Sequence, residues 1–281
     1  MTPISHLELK KAADSLPPSP QVFGKLGKLL RDPTTGLFDI TELVNTDSSL
    51  TAQVLRRSNS AAFGKGLAID NLDDAINRIG FREVFKLVGM VAVSDVFASR
   101  NATYRVDGAR LWENALCCGL AMETFAQKLG LDDQEAYTLG LLRSFGKLVI
   151  NTCITQRGES ICFPADGESN LIDWEEKRFG TNNAQVAGFL LSTWNFNDET
   201  VSAIQFQYDP DSSDASSKFA AMLNLACSVA ESLDRTLPGE AAYWQPIEQR
   251  LQQLGLGYDH LEEAKDYAAE SLDKVLASVA A

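Results

Sequence analysis

Residues 107–130 read DGARLWENALCCGLAMETFAQKLG. Asp107 can accept from the orphan amides of a helix start, and Gly130 can take the left-handed conformation that ends one. Between them Leu111, Ala115, Cys118, Met122 and Leu129 recur on one helical face. The stretch predicts one long helix, and its neighbours read the same way. Upstream, Phe81, Val84, Phe85, Val88 and Val91 keep helical spacing after Gly80, and Asn71 or Asp70 can cap the helix that Gly80 stops. Further back, Asp47 can cap a helix through Leu50, Val54 and Leu55, and Asp39 with Glu42 suits a start ahead of Ile40. Ser19-Pro20 opens a stripe of Val22, Phe23, Leu26, Leu29 and Leu30, and Ser5 with Glu8 forms a capping box. Downstream, Asp132 and Asp133 lie where carboxylates favour a helix dipole, ahead of Tyr137, Leu141 and Leu142. Residues 156–170 are polar and Gly-containing, which predicts an exposed loop. Helices then read at about 171–179, 184–194, 198–207, 215–235, 240–253 and 258–280. No strand alternation of useful length and no fixed-period repeat intervenes, so the fold class is all-α.

The chain has 281 residues, 45% apolar and 22% charged, enough for one large domain or two small ones with packed cores. Its net charge of −13 repels phosphate backbones and anionic bilayers, so neither nucleic acid nor a membrane is an expected partner. Only two histidines occur, His6 and His260, near the two ends. Chemistry that needs a group of imidazoles is thereby excluded, and both are expected on exposed helix surfaces. The five cysteines, Cys117, Cys118, Cys153, Cys162 and Cys227, are odd in number and lack C-x-x-C spacing. That pattern fits reduced thiols in the cytoplasm. No basic-then-apolar leader opens the chain, and its most apolar run, Leu87–Val93, is too short to span a bilayer.

Familiar catalytic motifs are missing. The run from Gly140 through Gly146-Lys147-Leu148 approaches a phosphate loop, but it carries one residue too many between the glycines. It also has leucine where a hydroxyl should meet magnesium. Gly64-x-Gly66 follows no strand. The acidic pairs Asp73-Asp74, Asp132-Asp133 and Glu175-Glu176 point to different helix sides and read as helix-start charge. Trp112 and Trp194 read as core. The scattered cysteines have no zinc spacing, and no metal or cofactor is expected.

Several pieces recur in a particular order: Leu16-Pro-Pro-Ser-Pro20, Asp32-Pro33, Asp47-Ser-Ser-Leu50-Thr51, Leu55-Arg-Arg-Ser58-Asn59-Ser60-Ala-Ala-Phe63-Gly64 and Ala75-Ile76-Asn-Arg-Ile79-Gly80. This series resembles the N-terminal half of the HDOD family, the HD-related output domains. Leu111-Trp112, Gly140-Leu141-Leu142, Gly146-Lys147-Leu148, Gly180, Trp194, Ala203-Ile204 and the helix Leu223 to Ala230 resemble its second half. The resemblance covers residues 16–235. It implies an N-terminal helical half at 1–100, an HD-like helical half at 101–235 and a helical extension at 236–281. Asn59, Ser60, Phe63 and Gly64 carry its motif. Asn59 and Ser60 can satisfy backbone groups at a helix end while Phe63 plugs the core beneath, and a partner-contact surface is the alternative.

The family is related to HD-type phosphohydrolases, whose histidine and aspartate ligands hold metal ions that activate water. Carried over one position at a time, those ligands fall on Asn114, Arg143, Ser144, Asn183 or less closely Asn182, near Phe206 and Gln207, and on Cys227. None of these is a histidine or a carboxylate. Even at an effective dielectric of ~20, a guanidinium close to a divalent ion costs several kcal/mol. The resemblance thus implies a remnant polar pocket of Asn114, Arg143, Ser144, Asn183, Gln207 and Cys227 without metal. There Arg143 meets either a neighbouring acid or a phosphate or carboxylate ligand. The implied role is non-catalytic signal transduction by protein–protein contact in trans in the bacterial cytoplasm, with a homodimer through residues 258–280 as one possible contact. A metal-dependent phosphohydrolase and a small-molecule sensor are the alternatives.

Overall fold

The structure is a computed structural model that describes residues 2–17, 19–31, 34–59, 69–97, 101–164, 169–212, 218–244 and 247–280. Ser60, Phe63 and Gly64, with Gly66 and Asp32-Pro33, lie outside the described residues, as do the side chains of Phe23 and Leu30. Among the described residues the chain is helical, with one isolated bridge between Asn101 and Val106. It divides into two compact units: residues 17–96 with 270–281, and residues 1–16 with 97–269.

The smaller unit holds α2 (Ser19–Arg31), α3 (Leu37–Asn45), α4 (Ser48–Ser58), α5 (Leu72–Ile79) and α6 (Phe81–Val96), numbered after α1 (His6–Asp14). Its local signals act as the sequence reading expects. Asp47 accepts from Leu50 N, Asn71 accepts from Asp74 N, and Gly80 closes α5 at φ 87°. One cap differs. Asp39 is the third residue of α3 and reaches back to Gly36 N at 2.8 Å, so the helix starts ahead of it. α6 packs on α2 and α4, burying Val84, Phe85, Val88 and Val91 in a core with Val22, Leu26, Leu50 and Val54. Each such side chain contributes about 1.5–3 kcal/mol. Asn59, the C-cap of α4, donates to Leu55 O and Ile69 O and accepts from Ile69 N, tying the helix end to residue 69.

The larger unit contains α1 and α7 (Gly108–Leu129), α8 (Asp133–Leu142), α9 (Phe145–Gln156), α10 (Leu171–Phe179), α11 (Asn183–Thr193), α12 (Asp198–Gln205), α13 (Lys218–Ser232) and α14 (Ile247–Leu254). It also contains the first half of α15 (Tyr258–Ala280). Asp107 caps α7 and Gly130 ends it at φ 65°. Two glycines set the packing. A Cβ on Gly140 would lie 2.4 Å from Gly119 N, and one on Gly146 would lie 1.8 Å from Asn183 O. Only glycine lets α8 approach α7, and α9 approach α11, so closely. That contact, rather than phosphate binding, accounts for both glycines of the phosphate-loop near miss. The helix expected at 240–253 is instead a 3-10 turn, Ala241–Trp244, followed by α14. Pro246 makes one continuous helix costly, because it lacks an amide and disfavours helix in the residue before it. α15 buries Leu261, Ala264, Ala268, Leu272 and Val275 and turns its acidic face outward.

Candidate functional site

Arg143 occupies the two-residue break between α8 and α9, which directs its side chain inward. It is 1% exposed. Its Nη1 donates to Asn114 Oδ1 of α7 at 2.5 Å and to Ser144 Oγ at 3.1 Å. Its Nε donates to Gln207 Oε1 at 3.0 Å, just past the end of α12. Its Nη2 donates at 2.5 Å to Oε2 of Glu240, a fully buried residue before the 3-10 turn. The other Glu240 oxygen, Oε1, lies 2.9 Å from Lys147 Nζ and 2.6 Å from the Tyr208 hydroxyl. Trp244 stacks on Tyr208 at 5.2 Å, with the Arg143 guanidinium 5.3 Å from the Trp244 ring centre.

A second carboxylate adjoins this group. Glu175 accepts from Asn183 N at 2.8 Å, from Asn183 Nδ2 at 2.9 and 3.1 Å and from the Tyr104 hydroxyl at 2.5 Å. Lys147 Nζ stands 4.8 Å from the Tyr104 ring centre. Asn183 Oδ1 lies 3.1 Å from the Tyr208 hydroxyl, which links the two clusters. Cys227 Sγ is 3.8 Å from Cys118 Sγ, itself 3.9 Å from Asn114 Oδ1.

The six positions expected to form a remnant pocket, Asn114, Arg143, Ser144, Asn183, Gln207 and Cys227, are therefore parts of one buried network. Four of them bond directly, Asn114, Ser144 and Gln207 to Arg143. Asn183 joins through Tyr208, and Cys227 through Cys118. Asn182 instead caps α11 through Gln185 N. Burial acts to raise the Glu240 pKa, but the adjoining Arg143 and Lys147 charges prevail and hold it at about 2, below its ordinary 4.5. Burial raises Glu175, and it pushes the Cys227 thiol and Tyr208 hydroxyl well up, so the thiol stays protonated.

These residues do not fit a divalent metal ion. The guanidinium lies among the very side chains that would have to turn toward the ion, and the Asn114 and Gln207 oxygens there already accept from it. Among the described residues, no three histidine, cysteine, aspartate or glutamate side chains are grouped to share an ion.

The sequence reading gave no role to Glu240, Lys147, Tyr208, Trp244 or Tyr104. Lys147 carried a usable signal, since a lysine beside Leu148-Val149-Ile150 on a buried helix must find a partner. Glu175 also departs from its expected reading. It is fully buried mid-helix, whereas Glu176 beside it is exposed, and Asp73, Asp74 and Asp133 do sit in first turns. His6 is exposed with its ring edge against Phe189, and His260 is partly exposed and accepts from Gly257 N. Trp112 is core and Trp194 half-buried against Phe145.

The HDOD domain family matches residues 16–210. Among solved structures, a Shewanella amazonensis SB2B protein that carries a phosphohydrolase name is 26% identical, with TM-score 0.65 over 94% of this chain and 93% of its own. A Geobacter sulfurreducens HDOD domain protein of unknown function is 19% identical, with TM-score 0.67 over 97% of each chain. A Marinobacter aquaeolei VT8 protein named for signal transduction is 22% identical, with TM-score 0.73 over 96% of this chain and 64% of its own. An uncharacterized protein of Treponema pallidum (strain Nichols) is 24% identical over 204 residues, 70% of this chain and 38% of that relative.

Proposed function

We propose, from the premise that this chain belongs to the HDOD family, that it is a non-catalytic signalling module working through protein contacts. The observation that carries this reading is the Arg143–Glu240–Lys147 ion-pair group, built around Arg143, a position to which the resemblance to HD-type phosphohydrolases carries a metal ligand. Two fixed cations there oppose a third, and the carboxylate within the group, Glu240, already has both oxygens taken up by Arg143, Lys147 and Tyr208. The site is self-satisfied and closed, each of Arg143, Lys147 and Glu240 being at most 1% exposed. Partner contact then falls to the exterior. Phe38, 73% exposed on α3, and the acidic face of α15 are the surfaces offered, whether to another protein or a second copy. A cytoplasmic setting agrees with free cysteines, four of them buried, and no helix among the described residues is long and apolar enough to cross a membrane.

Elemental analysis of protein purified with manganese, iron, zinc and magnesium supplied tests this directly. Less than a tenth of an equivalent of each metal, with no turnover of phosphate mono- or diesters, is the expected result. A stoichiometric ion whose removal abolishes turnover would overturn it.

A further inference from the structure

Every side chain on the cationic side of the buried group, Asn114, Arg143, Ser144, Lys147, Gln207 and Tyr208, falls within the family match at 16–210, whereas Glu240 lies thirty residues beyond it. The carboxylate is carried in by residues 237–244. Gly239, at φ 79°, fits so closely over Phe163 that a Cβ would come within 2.6 Å of its ring. Asn224 Nδ2 holds Tyr243 O at 3.2 Å. The Glu240 carboxylate then receives Arg143 on one oxygen and Lys147 with Tyr208 on the other. A guanidinium, an ammonium and a hydroxyl converging on one pair of oxygens is the donor set that binds carboxylate or phosphate from another molecule. Asn114, Ser144 and Gln207 hold the guanidinium in place independently of Glu240, so the cradle is organised by residues other than its occupant.

We propose that Arg143, Lys147 and Tyr208 form an anion-binding site that Glu240 occupies in cis, so that residues 237–244 act as an internal plug. The site takes the anionic group of a carboxylate or phosphate monoester when that plug is displaced. This rests on the reading above that no metal ion is held here.

Glu240→Ala deletes the occupant and leaves room for a small anion. Acetate or inorganic phosphate, at about 100 times its Kd, should raise the Tm of Glu240→Ala by about 5 °C or more, with chloride at equal ionic strength as the control. The wild-type Tm should not respond. Acetate and phosphate as separate arms show which anion the cradle prefers. Glu240→Gln, which keeps the shape and loses the charge, is the second variant should the alanine protein fail to fold. Hydrogen exchange in the wild-type protein is the third measurement: ~100 mM phosphate should speed exchange of amides 237–244, because it competes with Glu240. The inference is overturned if folded variants respond to chloride as they do to phosphate and acetate. It is equally overturned if wild-type exchange at 237–244 is unmoved by phosphate. Metal analysis of the same variants keeps the two readings apart. Stoichiometric metal would sink the non-catalytic reading, whereas an absent anion response without metal sinks only the plug.

Discussion

Among the described residues, 17–96 bury an apolar set interrupted only by Thr41, Arg57 and Ser58, whereas 97–269 bury Asn114, Glu123, Arg143, Lys147, Glu175, Asn183, Gln207, Asn224, Glu240 and Arg250 among others. Both units are all-helical and both use ordinary caps. The difference is that one core, apart from Arg57, is held by shape and water exclusion, and the other encloses several charges of both signs that must answer one another. A buried ion pair adds little net stability relative to apolar packing, but removing one member leaves a charge without compensation. The larger unit should therefore be fragile to single changes in a way the smaller is not.

The sharpest test is Glu240→Ala, which strands Arg143 and Lys147 and should cost about 3–5 kcal/mol. All four tryptophans, Trp112, Trp174, Trp194 and Trp244, lie in the larger unit, so fluorescence during urea unfolding reports on that unit. Replacing Arg143 and Lys147 by Met together with Glu240→Leu should recover most of the loss. If the triple variant is as unstable as the single one, the contrast between the units fails.

Acid comes next. The folded value of Glu240, about 2, lies below its ordinary 4.5, so its contribution is complete above pH 4.5 and is lost as pH falls toward 2. The change is on the order of 3 kcal/mol. Glu175 has the opposite sign: raised on folding, its contribution is present below the ordinary value and lost as pH rises through the folded one. Glu240→Gln should flatten the dependence of the fluorescence midpoint on pH between 4.5 and 2, and an unchanged slope would move the acid sensitivity elsewhere.

In the smaller unit Leu50→Ala should cost about 2–3 kcal/mol through the cavity it leaves, measured by far-UV circular dichroism and independent of pH over that range. Asn59→Ala, which removes the link to Ile69, should cost about 1–2 kcal/mol by the same measurement. A pH-dependent loss at Leu50 would blur the distinction between the two cores.

What could be read from the sequence follows the range of each interaction. Ser5 with Glu8, Asp47, Asn71, Asp107 and Asp132 act within four residues, so their roles stand in the local pattern. The all-helical class and the family follow from such signals and from motif order. The gathering of Asn114, Ser144 and Gln207 on Arg143 was approached only through the resemblance. The partner of Arg143 was not: Glu240 is 97 residues away, and no local rule marks one glutamate among the chain's acids as a buried counter-ion. A helix starting at 240 would moreover place Glu240 in an exposed first turn, the usual place for an acid, whereas the chain there forms a 3-10 turn with Glu240 buried ahead of it.

The glycines at the α8–α7 and α9–α11 crossings fix where Arg143 and Lys147 emerge, and that placement resists any exchange of this group for metal ligands. Changing Arg143 to His and Ser144 to Asp supplies two ligand types, yet Lys147 still points at Glu240, and Asn114, Asn183 and Cys227 are unaltered. Removing Arg143 leaves Glu240 with Lys147 as its one cation before any metal could compensate it. Selection acting on a chain built this way has more freedom to remodel its outer surfaces than its charged centre.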